Sequence, residues 1–342
     1  MSTAVVILNW NGSAMLRRFL PSVIHYSDDA RIIVADNAST DDSVEVLCRE
    51  FPQVEVIQLD ANYGFAEGYN RALSQVEADY VVLLNSDVEV TPHWLAPLTD
   101  YLDNHPQVVA CQPKLLSYHR KSAFEYAGAA GGFMDAYGYP FCRGRLMAMV
   151  EEDQGQYDTV LPVFWATGAA LCIRLEAYRR VGGLDGRFFA HMEEIDLCWR
   201  LGARGMGLVC IPQSVVYHVG GATLQKENPR KTYLNFRNNL LMLYKNLPDS
   251  RLHTVMRVRC CLDYVAACKF LLCGQWPNAR AVWQARRDYH RLLPEFRAAR
   301  RANLQAAVTD TPVGLYPFSL LFRYYVKGIR RFGTIVSTQI GH

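Results

Sequence analysis

Four carboxylates and one imidazole stand where chemistry is expected. Asp87 closes the triplet Asn85-Ser86-Asp87, which ends the apolar run Tyr80-Val81-Val82-Leu83-Leu84. An unbroken run of this kind reads as a strand buried on both faces. Polar residues at its carboxyl end then project into the crevice where open α/β sheets bind ligands. A carboxylate there suits a hard divalent cation that holds a diphosphate. Asp36 ends a second such run, Arg31–Ala35, and His218 ends a third, Val215–Tyr217. Glu193 and Glu194 open a stretch, Glu193–Arg200, that reads as the start of a helix. Each has a plainer reading: Asn85 and Asp87 as turn residues, the acidic residues as partners of the helix dipole, a lone histidine as structural.

The elements that must position these groups alternate. Residues 3–9 read as a first buried strand ending in Asn9-Trp10-Asn11-Gly12. Ala14 to His25 has helical spacing, with Pro21 expected to bend or end it. Strands over 31–35 and 54–59 follow, each leading into a helix, and Asn62-Tyr63-Gly64-Phe65-Ala66 starts the second of these helices. Four strands alternating with helices in about ninety residues argue for a doubly wound, mostly parallel sheet. Gly64 and Gly68 do not make the spacing of a dinucleotide fingerprint, but a nucleotide can still lie across the strand ends at Asp36 and Asp87. Residues 112–158 lack a clear period and read as a loop-rich insertion with short strands, on the side where an acceptor enters. Residues 163–174 read as a strand pair or one bent strand.

The chain has 342 residues, half of them hydrophobic, enough for one large domain or two smaller ones. None of the ten cysteines forms a CxxC pair, and they read as reduced residues of a cytoplasmic protein. No basic leader precedes the first strand, and the apolar runs fall short of the ~20 residues of a membrane span. Residues 245–342 carry sixteen Lys/Arg and five Asp/Glu, whereas the body before them is acidic. Different partners are expected for the two parts.

Taken in order, seven motifs resemble the family-2 glycosyltransferases of GT-A fold. They are Val5-Val6-Ile7-Leu8-Asn9-Trp10-Asn11-Gly12, Val34-Ala35-Asp36-Asn37-Ala38-Ser39-Thr40-Asp41, Asn62-Tyr63-Gly64-Phe65-Ala66, Leu83-Leu84-Asn85-Ser86-Asp87, Gly182-Gly183-Leu184-Asp185, Glu193-Glu194-Ile195-Asp196-Leu197 and Tyr217-His218. The stretches Tyr217–Ala222 and Asn235-Phe236-Arg237-Asn238-Asn239 are similar to the rhamnosyltransferase-like branch. The resemblance implies a catalytic domain over 1–245 and a basic helical extension over 246–342. It implies an inverting transfer from a nucleotide-diphosphate sugar, dTDP-rhamnose among the candidates, to a hydroxyl of a lipid-linked glycan. Asn9, Asp36, Asn62, Gly64, Arg71, Asn85 and Asp87 would bind the nucleotide sugar, with Asp36 at the base or ribose. Asp87 and His218 would hold Mn²⁺ or Mg²⁺. The family's DxD motif has Asn85 in its first place here, which leaves one carboxylate at the metal. The family's catalytic base is the Asp of a Glu-Asp pair; here that place is Glu194, with Glu193 as the competing base. Asp196 is expected to pair with Arg200.

Beyond residue 232 long helices are expected. Phe318, Leu321, Phe322, Tyr325, Ile329 and Phe332 fall on one helical face with Arg323, Lys327, Arg330 and Arg331 opposite. Such a face either packs on the catalytic domain or lies on an anionic membrane. Nucleic acid is not expected, because aromatic residues are not interleaved as stacking platforms. Two rival functions remain: a sugar-phosphate nucleotidyltransferase, for which no glycine-rich basic loop follows the first strand, and an inactive binding or scaffold protein.

Overall fold

The structure is a computed structural model that describes residues 1–220 and 228–337. Gly221 and Ala222, part of one branch motif, lie outside the described residues. The first half alternates as expected: β1 (Thr3–Asn9), α1 (Ser13–Tyr26), β2 (Arg31–Asp36), α2 (Ser43–Glu50), β3 (Glu55–Gln58), α3 (Gly64–Leu73) and β4 (Tyr80–Asn85). α1 runs on through Pro21 rather than ending there, and the Ser22 hydroxyl donates to Phe19 O (2.8 Å) beside it. β4, β1, β2 and β3 lie side by side and parallel. The interior residues of β4, β1 and most of β2 are buried on both faces, which is why these strands read as unbroken apolar runs, whereas β3 at the edge is half-exposed.

The second half completes and caps this sheet. β5 (Val88–Val90), α4 (Ala96–Asn104) and β6 (Val108–Ser117) are followed by four short strands. These are β7 (Gly132–Met134), β8 (Pro140–Cys142), β9 (Arg145–Leu146) and β10 (Met149–Val150), and they form a separate antiparallel sheet. The 163–174 stretch is neither a strand pair nor one bent strand: only its end, β12 (Ala170–Arg174), is a strand, inserted antiparallel between β4 and β6, and the two-residue β11 (Leu161–Pro162) just before it pairs at the sheet edge. α5 (Leu175–Arg180) and α6 (Glu193–Ala203) lead to β13 (Gly207–His218), which runs parallel to β6. The central sheet has the order β11-β13-β6-β12-β4-β1-β2-β3, with β5 on β13.

Three long helices follow: α7 (Pro229–Asn246), α8 (Asp249–Leu272) and α9 (Trp276–Ala306), then a short α10 (Phe332–Ser337). Tyr289, Phe296 and Phe332 of these helices, with Phe318 and Leu320 from the segment between α9 and α10, belong to the same core cluster as Phe133 and Phe141. The expected single amphipathic face over 318–332 is not formed. A five-residue π-helical turn at 322–326 ends before Gly328, whose φ of 68° breaks the helix. Phe318 and Phe332 are buried against Phe141, while Phe322, Tyr325 and Val326 face solvent. Part of the basic charge is internal too. Arg259 and Arg286 share Asp263, and Arg300 pairs with Asp249. Among the described residues no helix is long and apolar enough to cross a membrane.

Candidate active site

Parallel pairing sets three polar strand ends in a row. Asn9 lies in register with Asp36, and Leu8 with Asn85. Asp36 is buried and engaged: Oδ1 accepts from Asn9 Nδ2 (3.1 Å) and Ser39 Oγ (2.5 Å), and Oδ2 from Ser39 N (2.9 Å). Its carboxylate therefore shapes the 36–41 loop as well as lining the cleft. Asn9 Oδ1 is buried with no partner, and a Cβ on Gly12 would stand 2.4 Å from it. The loop before α3 is tied the same way: Asn37 Nδ2 donates to Asn62 Oδ1 (3.1 Å) and Gly64 O (3.0 Å). Gly64 has a φ of 73°, and a Cβ there would strike the Phe189 ring. Arg71 is not brought to this row. It is exposed, paired with Glu67 (3.0 Å) and stacked 3.7 Å over the Tyr63 ring.

The second group forms through β5. Its antiparallel pairing with β13 sets Val88 opposite His218, so the preceding Asp87 meets the imidazole. His218 Nε2 lies 3.1 Å from Asp87 Oδ1 and 3.4 Å from Asn85 Nδ2. His218 Nδ1 lies 3.5 Å from Glu125 Oε1. All three ionisable side chains are buried. Burial alone would push His218 down, but the Asp87 and Glu125 carboxylates outweigh it and hold the imidazole up at about 10. Burial pushes Asp87 upward, and its hydrogen bond with His218 more than reverses this, so it stays below the usual carboxylate value. No three His, Cys, Asp or Glu side chains converge on one point among the described residues. Once a cation displaces the imidazole proton, Asp87 and His218 would offer one oxygen and one nitrogen from the chain. That donor set would suit Mn²⁺ or Mg²⁺, hard to borderline cations that take oxygen and imidazole donors. Glu125 carried no signal in the sequence, since it lies in the aperiodic 112–158 stretch.

The acidic pair sits at the start of α6 behind a strained loop. Phe189, His191 and Met192 have φ of 66°, 71° and 73°, rare for residues with a side chain. The loop is held by α7: Asn238 Nδ2 donates to the carbonyls of Phe188, Ala190 and His191, and Arg237 to those of Arg187 and Phe188. That is what the Asn235–Asn239 motif does here. Glu193 Oε2 and Glu194 Oε2 are both buried with no hydrogen-bond partner. Burial raises both carboxyls above the ordinary glutamate value, and repulsion from Glu194 adds to the shift of Glu193. Glu194 Cβ lies 3.6 Å from the position of a Cβ on Gly168, and the next carbonyl, Ala169 O, accepts from Asn85 N (3.0 Å). The pair therefore borders the strand end that carries Asn85. Asp196 does something else. Fully buried, it binds Arg200 Nε (2.9 Å), Lys245 Nζ (2.7 Å) and Asn246 Nδ2 (2.8 Å), locking α6 to α7. Lys245 also reaches Asp185 (2.7 Å), a link with no local sequence signal.

A row of polar strand ends, an Asp–His pair and unpartnered carboxylates thus stand together on the central sheet of a GT-A fold. Residues 4–140 match the family described as Glycosyl transferase family 2. The N-acetylglucosaminyl-diphospho-decaprenol L-rhamnosyltransferase of Mycobacterium tuberculosis is 28% identical over 229 residues, 63% of this chain and 75% of that protein. The rhamnosyltransferase WbbL of Escherichia coli K12 is 24% identical over 63% of this chain and 82% of its own length. In fold, the chain is similar to GalNAc-T7 bound to UDP, GalNAc and Mn²⁺, with a TM-score of 0.58 at 16% identity over 87% of this chain and 56% of that one. These likenesses support a rhamnosyltransferase-like enzyme of the hexosyltransferase class, similar over residues 4–140 to family-2 glycosyltransferases.

Proposed function

We propose that the protein transfers a deoxyhexose, with rhamnose from dTDP-rhamnose as the leading candidate, to a hydroxyl of a lipid-linked glycan with inversion. The proximity of Asp87 to His218, 3.1 Å apart from positions 131 residues apart in the chain, carries the reading. The likeness to the M. tuberculosis rhamnosyltransferase supports rhamnose as the sugar and a lipid-linked acceptor. Residues 1–245 are the catalytic domain. Asn9, Asp36, Asn62, Gly64 and Asn85 line the nucleotide side, and Asp87 and His218 hold Mn²⁺ or Mg²⁺. When bound, that cation offsets the charge that grows on the leaving diphosphate. Glu194 takes the proton from the acceptor hydroxyl as it attacks the anomeric carbon, and Glu193 is its buried neighbour. Asp196, Lys245 and Asn238 keep the pair in place.

Residues 246–342 clasp the catalytic domain and meet the cytoplasmic face of the membrane. α8 supports this second role, because only Val255, Arg259 and Asp263 of its 24 residues are buried. Val265 and Leu272 are 65% and 89% exposed, and Lys269 lies near exposed Tyr325. The test is a panel of nucleotide sugars with purified protein and Mn²⁺, read as thermal shift and as donor hydrolysis. dTDP-rhamnose should stabilise the protein, His218→Ala should lose the Mn²⁺-dependent part of the shift, and another sugar nucleotide acting alone would refute the donor.

A further inference from the structure

A groove of about 670 Å³ lies between the first turns of α7 and α9, lined among others by Arg230, Tyr233, Trp276 and Arg280. The arginines here differ from those in the rest of the helical region. Arg259, Arg286 and Arg300 are buried on carboxylates. Arg230 and Arg280 are exposed, and neither guanidinium has an ion pair or hydrogen bond among the described residues. Two unpaired guanidinium groups on facing helices are complementary to an anion with several oxygens, for which the planar fork is well shaped. Trp276 beside them is 68% exposed, and the end of α8 that precedes it presents Leu271 and Leu272 to solvent. The groove therefore joins a cationic wall to an apolar one.

Its position ties it to the transfer site. The Arg230 guanidinium lies 5.4 Å over the Phe189 ring. Phe189 O accepts from Phe65 N (2.9 Å) at the start of α3, and five residues further on stands Glu194. One strained loop thus separates the groove from the acidic pair.

We propose that this groove binds the diphosphate of a lipid-linked acceptor, with Arg230 and Arg280 on the phosphate oxygens and Trp276 against the first carbons of the lipid. This rests on the lipid-linked acceptor of the functional reading, and names the part of that acceptor recognised away from the reacting hydroxyl. The chemistry, phosphate on a lipid, is shared with anionic membrane head groups, and the test separates the two.

The test is isothermal titration of the full chain with farnesyl diphosphate in the presence of a chelator, which withholds divalent cations from the donor side. Wild-type protein should bind saturably, and Arg230→Gln with Arg280→Gln should bind at least about 10-fold more weakly, with an unchanged thermal unfolding midpoint. Arg280→Lys, which keeps the charge but not the fork, should fall between. Farnesyl monophosphate should bind less tightly than the diphosphate, and phosphatidylglycerol vesicles should not displace it. The subsite is overturned if wild type does not bind or if the double glutamine variant binds equally. Displacement by phosphatidylglycerol vesicles as effective as by unlabelled farnesyl diphosphate would also overturn it, in favour of a general head-group site. Arginine-dependent binding without sugar transfer to any lipid diphosphate acceptor would overturn the functional reading instead and leave the groove a diphosphate site.

Discussion

Replacing Glu194 with Gln separates the proposed chemistry from the fold. The side chain keeps its size, and the amide can donate to the neighbouring Glu193 carboxylate, so the start of α6 should survive. The ability to accept a proton is lost. General-base catalysis contributes about 10²–10⁴ in rate, which is roughly 2.7–5.4 kcal/mol of transition-state stabilisation. Transfer should fall by that factor while the thermal shift from the nucleotide sugar persists. Burial also fixes a second, independent readout. Glu194 has its carboxyl raised in the fold above the ordinary 4.5. The folded state then favours the protonated form, so this group's contribution to stability is full below the unfolded value and is lost as pH rises through the folded one. Glu194→Gln buries no charge and escapes that loss, so its unfolding midpoint should exceed wild type at pH 8 and match it near pH 4. The wild-type rate should rise with pH through an apparent value above that of an ordinary glutamate, which belongs to the Glu193–Glu194 pair rather than to either residue. Initial rates from pH 5 to 9 and thermal unfolding test both. Normal transfer by Glu194→Gln together with loss in Glu193→Gln would move the base one residue back; normal transfer by both would refute the mechanism.

Lys245→Met removes the ammonium that joins Asp185 and Asp196, both of which keep an arginine. Denaturant unfolding should show a loss toward the lower end of the roughly 3–5 kcal/mol seen when a buried pair is broken. Asp135→Ala leaves three backbone donors, Tyr137 N, Tyr139 N and Leu320 N, without their acceptor. It should cost about 1–3 kcal/mol and open the 320s to limited proteolysis; protection as in wild type would show that the apolar contacts alone hold this segment. Co-sedimentation with phosphatidylglycerol vesicles should decrease with added salt and be weakened by Val265→Glu with Leu272→Glu. Equal sedimentation with neutral vesicles would remove the electrostatic part of the membrane contact.

The alternation of strand and helix over the first ninety residues was legible because burial on both faces leaves a local mark, an unbroken apolar run closed by a polar residue. Asn9, Asp36, Asn85 and Asp87 could be picked out for the same reason: each ends a run, and β-pairing places such ends in a row. The pairing of Asp196 with Arg200 was legible because one helical turn relates them. What the tertiary structure decided is long-range. The order of motifs alone, and no residue near Asp87, pointed to His218; the antiparallel addition of β5 to β13 is what brings the two side chains together. Glu125 reaches the same histidine from an aperiodic stretch. Lys245 and Asn238 support the acidic pair from a helix whose own pattern shows only that it is a helix. The 318–332 segment shows the converse. Its residues have the spacing of one amphipathic helix, but Phe318 and Phe332 gain more from the aromatic side of the small sheet than from a common face. Gly328 permits the break between them, and packing overrides periodicity.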